Sequence, residues 1–490
     1  MAVTAFDRFR TALGSGDIAG RLHAAEIGRG AIIDGPFGPR DLLYADYVAS
    51  GRAIRPVEEF VMSEVLPWYS NSHTEASHCG GVMTRMRREA RVIIGSLCGA
   101  GPETAVIFAG SGATQGLNRL VHLLGVDAAV RRGERPLIVL GPYEHHSNIL
   151  PWRESGAEVI EIPEGADGGP DRAALSAALA GIEPGRLVVG GFSAASNVTG
   201  ILSDVEGITR QLKAAGALAV WDYAGAGPYL PIRMTPAPDA AIDAIVTSPH
   251  KFAGGPAASG VLLVRRSAVS AEVPTLPGGG TVRFVSPEGH DYAHSIEARE
   301  EAGTPNVIGD IRAALAFVVK EAIGQDFIDR RNAELRDRAK AAWAGQARIE
   351  ILGNPQARRL PIFAFRLRDG MGGHVHQQLA TRMLSDLYGI QARGGCACAG
   401  PYVHRLLGID ETRSRTLRAA ILAGQEMSKP GFVRLNFSYL LSDAEADRII
   451  DSVADLASRA PSLAAHYTHD PATAIFTPDG AGSKPATAAE

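Results

Sequence analysis

Between about residues 80 and 265 the chain alternates short apolar, β-branched runs with helical patterns, and this alternation constrains its fold most strongly. The strand-like runs are 105–108, 136–140, 187–192, 217–221, 242–247 and 261–264. Residues 82–97, a stretch from Ala113, and 204–215 read as helices between them. Buried strands alternating with helices predict a mostly parallel α/β sheet. In such sheets functional groups gather beyond the carboxyl ends of the strands.

Glycine and proline cluster at 274–280 and 303–306, and a long helical pattern at 309–347 is expected to lead into a second domain. A strand-like run at 362–367, a helical 375–388, a Cys-x-Cys loop and a strand candidate at 432–437 follow. Ser442-Asp-Ala-Glu445 opens the last helix as a capping box. The expected organisation is an N-terminal segment 1–45 packing on the small domain, a large α/β domain 46–310, a small α+β domain 311–465 and a mobile tail 466–490. A length of 490 residues, 46% hydrophobic and 21% charged, suits a soluble protein of two domains. A net charge of −4 favours neither nucleic acid nor an anionic membrane as partner. No apolar stretch is long and charge-free enough to span a bilayer, and residues 1–14 lack a signal-peptide core, so a cytoplasmic location is expected. Cys79, Cys98, Cys396 and Cys398 are too few for a disulfide framework. Cys396-Ala-Cys398 has no second ligand pair at zinc spacing, so reduced thiols and no metal are expected.

The run Ile245-Val-Thr-Ser-Pro-His-Lys251 ends a strand in Ser248, His250 and Lys251. A lysine there is a surface charge or an amine held for Schiff-base chemistry with a carbonyl cofactor, pyridoxal phosphate leading. Ser111-Gly112-Ala113-Thr114 joins a strand to a helix, either as a tight turn or as a phosphate dock of free backbone N–H groups. Asp222 ends another strand, as a structural ion or as the partner of a pyridinium N–H. His145, in Glu144-His-His-Ser-Asn148, is a surface loop residue, or a catalytic one that stacks on a ring or moves protons near neutral pH. Asn197 is a turn residue or a polar contact to that ring. Arg434 sits on a strand-like run where a carboxylate must satisfy it, from a ligand or from an internal Asp or Glu. Arg393-Gly-Gly-Cys-Ala-Cys398 sets paired thiols in a glycine-rich loop near positive charge, where a thiolate is a good nucleophile.

The order of these elements resembles the fold-type I pyridoxal-phosphate enzymes, in particular the cysteine desulfurase/selenocysteine lyase branch of the class V aminotransferase superfamily, over residues 44–457. The resemblance implies a large domain with a mostly parallel, seven-stranded sheet flanked by helices and a smaller α+β domain. It makes Lys251 the Schiff-base lysine and gives the phosphate to Ser248, His250, Gly112, Ala113 and Thr114. Ala113 stands where the family has a threonine. It makes His145 the stacking residue, Asn197 a ring contact and Asp222 the pyridinium partner. Thr304 becomes the residue that reaches the neighbouring subunit's phosphate in a homodimer. Arg434 then binds the substrate carboxylate with Arg393 nearby, and Cys398 accepts sulfur. Gly225 stands where the family often has a glutamine. The implied activity is removal of sulfur or selenium from cysteine or selenocysteine, giving alanine and an enzyme persulfide, with a sulfur-acceptor protein as a further partner. An aminotransferase or other Cβ-lyase on a small amino acid, and a non-catalytic cofactor-binding or sulfur-carrier protein, are the rival readings.

Overall fold

The computed structural model describes residues 3–72 and 74–479. Seven strands form one sheet: β1 Thr104–Phe108, β2 Leu137–Leu140, β3 Glu158–Glu161, β4 Val188–Ser193, β5 Leu218–Asp222, β6 Ala244–Thr247 and β7 Val261–Arg265. Their order is β1-β7-β6-β5-β4-β2-β3. Strands β2 to β6 pair in parallel, while β7 runs antiparallel to both β1 and β6. Strands β1, β2, β4 and β6 are buried at every position, as strands covered on both faces must be. The sequence reading had no β3. It is a half-buried edge strand with Glu158 and Glu161 exposed, too short and polar to stand out.

Helices α1 His78–Leu97, α2 Ala113–Leu123, α3 Val205–Ala214 and α4 Val307–Ile323 belong with this sheet. Leu117 and Leu120 of α2 join Ile138, Trp152, Val189, Val220 and Val246 in one buried cluster. Each such side chain contributes roughly 1.5–3 kcal/mol by leaving water. The Trp221 indole keeps its polar handle satisfied by donating to Thr209 Oγ1 at 2.8 Å.

The chain divides into two units at places the sequence did not mark. The first holds residues up to Ile27, Tyr47–Glu334 and Asn354–Leu360; the second holds Gly28–Asp46, Leu335–Gly353 and the chain from Pro361 onward. The expected segment 1–45 is therefore split, because Phe6 and Phe9 pack on Phe60 of the first unit. The expected boundary at residue 310 moves to 334 because α4 is apolar on nearly every face and buried, with Phe317 stacked on Phe252 at 5.0 Å. The helical region expected over 309–347 consists of two helices: Gly324, at φ 85°, ends α4, and α5 Gln325–Trp343 follows.

The second unit carries an antiparallel sheet of β8 Ile349–Ile351, β9 Ile362–Leu367, β10 Arg393–Gly395 and β11 Phe432–Asn436, ordered β8-β9-β11-β10. Its core includes Phe363, Phe365, Leu435 and residues of α6 Gln377–Tyr388 and α7 Asp443–Leu463. The capping box of α7 forms as expected, the Glu445 amide donating to Ser442 Oγ and the Ser442 amide to Glu445 Oε2. The tail expected to be mobile from His466 is instead a hairpin, Tyr467–Asp470 with Ile475–Pro478. Tyr467 and Phe476 bury their rings in this core, which holds the hairpin in place. Residues 480–490 of that expected tail lie outside the described residues.

Candidate active site

The carboxyl ends of β4, β5 and β6, with the turns after β1 and β2, surround a cavity of about 250 Å³. Lys251, Asp222, His145, Asn197, Ser248, His250, Gly112, Ala113 and Thr114 all line it. A larger cavity of about 790 Å³ among residues 165–173 and 201–206 contains none of them.

Lys251 ends a short 3₁₀ turn, Pro249–Lys251, its amide donating to the Ser248 carbonyl at 2.9 Å. Backbone packs on this turn too closely for side chains. A Cβ on Gly51 would stand 1.9 Å from the Phe252 carbonyl oxygen, and one on Gly255 would stand 1.9 Å from that of Pro249. The lysine is thus presented from an immobilised backbone.

At one end of the cavity the chain passes from β1 through Gly112 into α2. A Cβ on Gly112 would press on Ser248 Oγ and His250 Cε1 at 3.1 Å, so glycine keeps this cradle open. Ser248 Oγ accepts the Ala113 amide at 3.0 Å, and the Thr114 and Ser147 hydroxyls meet at 2.7 Å. Burial and then the Lys251 charge push the His250 pKa down to about 4, so the imidazole is neutral at physiological pH. Hydroxyls, an imidazole and a helix N-terminus are the donor set a phosphate requires.

Asp222 lies at the end of β5, 5% exposed, with Oδ1 accepting the Ala224 amide at 2.7 Å. Burial raises its pKa, while the Ala224 hydrogen bond and the Lys251 charge pull it back. His145 Nδ1 accepts the Ser147 amide at 3.1 Å, which fixes the ring at the cavity wall. Gly225 also lines the cavity, and a Cβ there would meet Asn197 Cβ at an ordinary 3.5 Å.

Glu144 escaped the sequence reading. It is 3% exposed, and Oε1 and Oε2 accept from the Ser193 amide at 2.8 Å, the Ser193 hydroxyl at 2.7 Å and Asn148 Nδ2 at 2.5 Å. Burial drives its pKa up to about 8 against these donors, and the nearby Asp222 charge adds to the rise. Glu144 therefore holds its proton near neutrality. A raised carboxyl pKa means the folded chain binds a proton the unfolded chain lacks between about 4.5 and about 8. That stabilisation is complete below about pH 4.5 and is lost progressively as pH rises to about 8. Glu144→Gln, which keeps the neutral shape, is expected to flatten the fall in Tm between about pH 5 and about pH 8. An unchanged slope would disprove this protonation. Ser193, at the end of β4, also lines the cavity and was missed; the strand-end rule alone would have found it.

Thr304 is exposed and does not line the cavity. Arg393, Arg434 and Cys398 stand on the second unit. Arg393 and Arg434 face each other across β10 and β11, a like-charge pairing that Asp46 compensates. Arg434 Nη2 donates to Asp46 Oδ1 at 2.7 Å and Arg393 Nε to Oδ2 at 2.9 Å. Arg434 is 3% exposed, so an internal carboxylate does satisfy it. Cys396 and Cys398 are both exposed in the turn after β10. Ala397 at φ 50° and Cys398 at φ 54° are left-handed, a strain of about 1–2 kcal/mol each for residues with a Cβ.

The sequence of residues 43–429 matches the family model for class V aminotransferases. The chain belongs to the class V aminotransferase family, in its cysteine desulfurase branch. It is 30% identical over 369 residues to a cysteine desulfurase of Pectobacterium atrosepticum, covering 74% of this chain and 84% of that protein. It is 28% identical over 377 residues to a probable cysteine desulfurase of Pyrococcus abyssi, covering 75% and 87%. The fold is similar to the apo structure of a cysteine desulfurase from Thermococcus onnurineus NA1, with a TM-score of 0.70, 24% identity, and coverage of 85% of this chain and 95% of that one. The family depends on pyridoxal 5′-phosphate, and the present chain is a pyridoxal-phosphate-dependent enzyme. The cavity fits that group: an open glycine cradle beside a helix N-terminus, one lysine, and a buried carboxylate whose raised pKa a pyridinium would relieve.

Proposed function

We propose that this enzyme removes sulfur from L-cysteine, or selenium from selenocysteine, leaving alanine and a persulfide on Cys398. The exposed Cys398 in its strained turn carries the reading, because transamination needs no thiol. The relatives named cysteine desulfurase support it.

Bound pyridoxal phosphate supplies a carbon that exchanges amines and a ring that accepts electrons. Lys251 Nζ would anchor it at rest and, once free, would take the Cα proton of the substrate. Asp222 would hold a proton at the ring nitrogen, and His145 and Asn197 would hold the ring itself. Ser248, the neutral His250, Thr114 and the backbone of Gly112 and Ala113 would hold the phosphate. Arg434, oriented by Asp46, binds the substrate carboxylate, with Arg393 beside it. Cys398 thiolate attacks the substrate sulfur; the S–S bond forms as the Cβ–S bond breaks, and Cβ is then protonated. In this reading the chain works in the cytoplasm as a homodimer, Thr304 reaching the neighbouring subunit's phosphate, and a sulfur-acceptor protein is a further partner.

Cofactor-loaded protein given cysteine and excess thiol is expected to accumulate alanine, measured by amino-acid analysis. Pyruvate and ammonia in its place would sink the reading in favour of another Cβ-lyase.

A further inference from the structure

His145 rides on a single 3₁₀ turn, His146–Asn148, in which the Asn148 amide donates to the His145 carbonyl at 2.8 Å. Glu144 and Asn148 flank that turn, both buried, and their side chains meet across it, Asn148 Nδ2 donating to Glu144 Oε2 at 2.5 Å. The surroundings fix the direction of this bond. The Trp152 indole N–H can only donate, and it holds Asn148 Oδ1 at 3.0 Å, which leaves Nδ2 to face Glu144. The Ser193 amide can also only donate, and it holds Glu144 Oε1 at 2.8 Å. Ser193 ends β4 and pairs with Asp222 of β5 in the sheet register. Glu144 thus ties the turn that carries His145 to the strand beside Asp222. Two glycines leave room for these side chains. A Cβ on Gly141 would stand 2.7 Å from Glu144 Oε1, and one on Gly191 would stand 3.3 Å from Asn148 Oδ1.

We propose that Glu144 is a positioning residue for His145, Oε2 closing the turn through Asn148 and Oε1 docking it on Ser193; this rests on the reading above that His145 holds the cofactor ring. Glu144 is not among the residues lining the cavity, so it acts through the backbone it shares with His145. Ser147 Oγ lies 3.0 Å from His145 Nδ1 and 2.7 Å from Thr114 Oγ1, which fixes the imidazole on the turn. Glu144 fixes the turn on the sheet. A site residue carried by a loop loses rate when its support slackens by as little as about 1 Å.

Glu144→Gln keeps the volume and the acceptor for the Ser193 amide, but sets an amide –NH₂ against Asn148 Nδ2, donor against donor. The Ser193 hydroxyl, which can donate or accept, suits either group. Adding Asn148→Asp reverses the bond: one carboxylate oxygen still accepts from Trp152 and the other accepts from the new amide. Each cofactor-loaded protein is read by the visible circular dichroism of bound pyridoxal phosphate, without substrate, and by alanine formation from cysteine. Glu144→Gln is expected to lose about half or more of the dichroism per bound cofactor and to lower kcat about tenfold, with KM changed less than about twofold. The double variant is expected to recover both signals to within about twofold of wild type. In a His145→Ala background, Glu144→Gln should change kcat by less than about twofold. Wild-type dichroism and kcat in Glu144→Gln overturn the proposal, as does an equal fall in kcat with and without His145. A double variant no better than the single one overturns it too, and this comparison decides even if Glu144→Gln alone does not fold. Wild type that binds the cofactor yet forms no alanine fails the desulfurase reading alone, and the dichroism of the single and double variants then decides the role of Glu144.

Discussion

Lys251→Ala is expected to lower turnover of cysteine by about 10³-fold or more, since the proposed mechanism makes one side chain both anchor and proton carrier. Among the described residues lining the cavity Lys251 is the only amine, so no neighbour can take its place. The substitution also removes a positive charge that pulls down the pKa of Asp222, which will rise further under its burial. The cavity wall of Gly112, Ser248 and His250, proposed to hold the phosphate, is untouched. The cofactor should therefore still bind, but leave on gel filtration and lose its lysine-linked absorbance. Added methylamine should restore part of the activity, which a merely structural lysine would not allow. A variant retaining more than about a tenth of wild-type turnover would refute the assignment.

Cys398→Ala is expected to cut alanine formation from cysteine by about 10²-fold or more while leaving cofactor absorbance and thermal stability near wild type. The side chain is exposed and alanine keeps the same backbone constraint, so little packing is lost. Spectral changes on adding cysteine should persist, because the cavity around Lys251 and Asp222 is intact. Loss of turnover with binding preserved separates a desulfurase from an aminotransferase. Undiminished alanine and sulfide would transfer the chemistry to a different lyase mechanism.

Much of this site was legible in the chain because its residues sit at the ends of strands. The β-branched runs 217–221 and 242–247 announce β5 and β6, and the strand-end rule then singles out Asp222 and Lys251. Ser248 and His250 come with the lysine. Edge strand β3 was not legible, since two outward glutamates mask its period. Nor was Glu144, one residue from His145: nothing local says a carboxyl in that stretch is buried, because its partner Ser193 lies 49 residues away.

The sequence by itself determined the α/β sheet, the strand-end lysine and aspartate, and the paired thiols, because each depends on periodicity or residue type within one short segment. Tertiary structure alone decided that Glu144 is buried and holds its proton near neutrality, and where the units divide. It also folded the supposed tail into a core hairpin. Asp46 makes the reason plain, binding Arg393 and Arg434 from 347 and 388 residues away. A charge's partner, and hence its ionisation, is set by desolvation and by neighbours that only folding assembles.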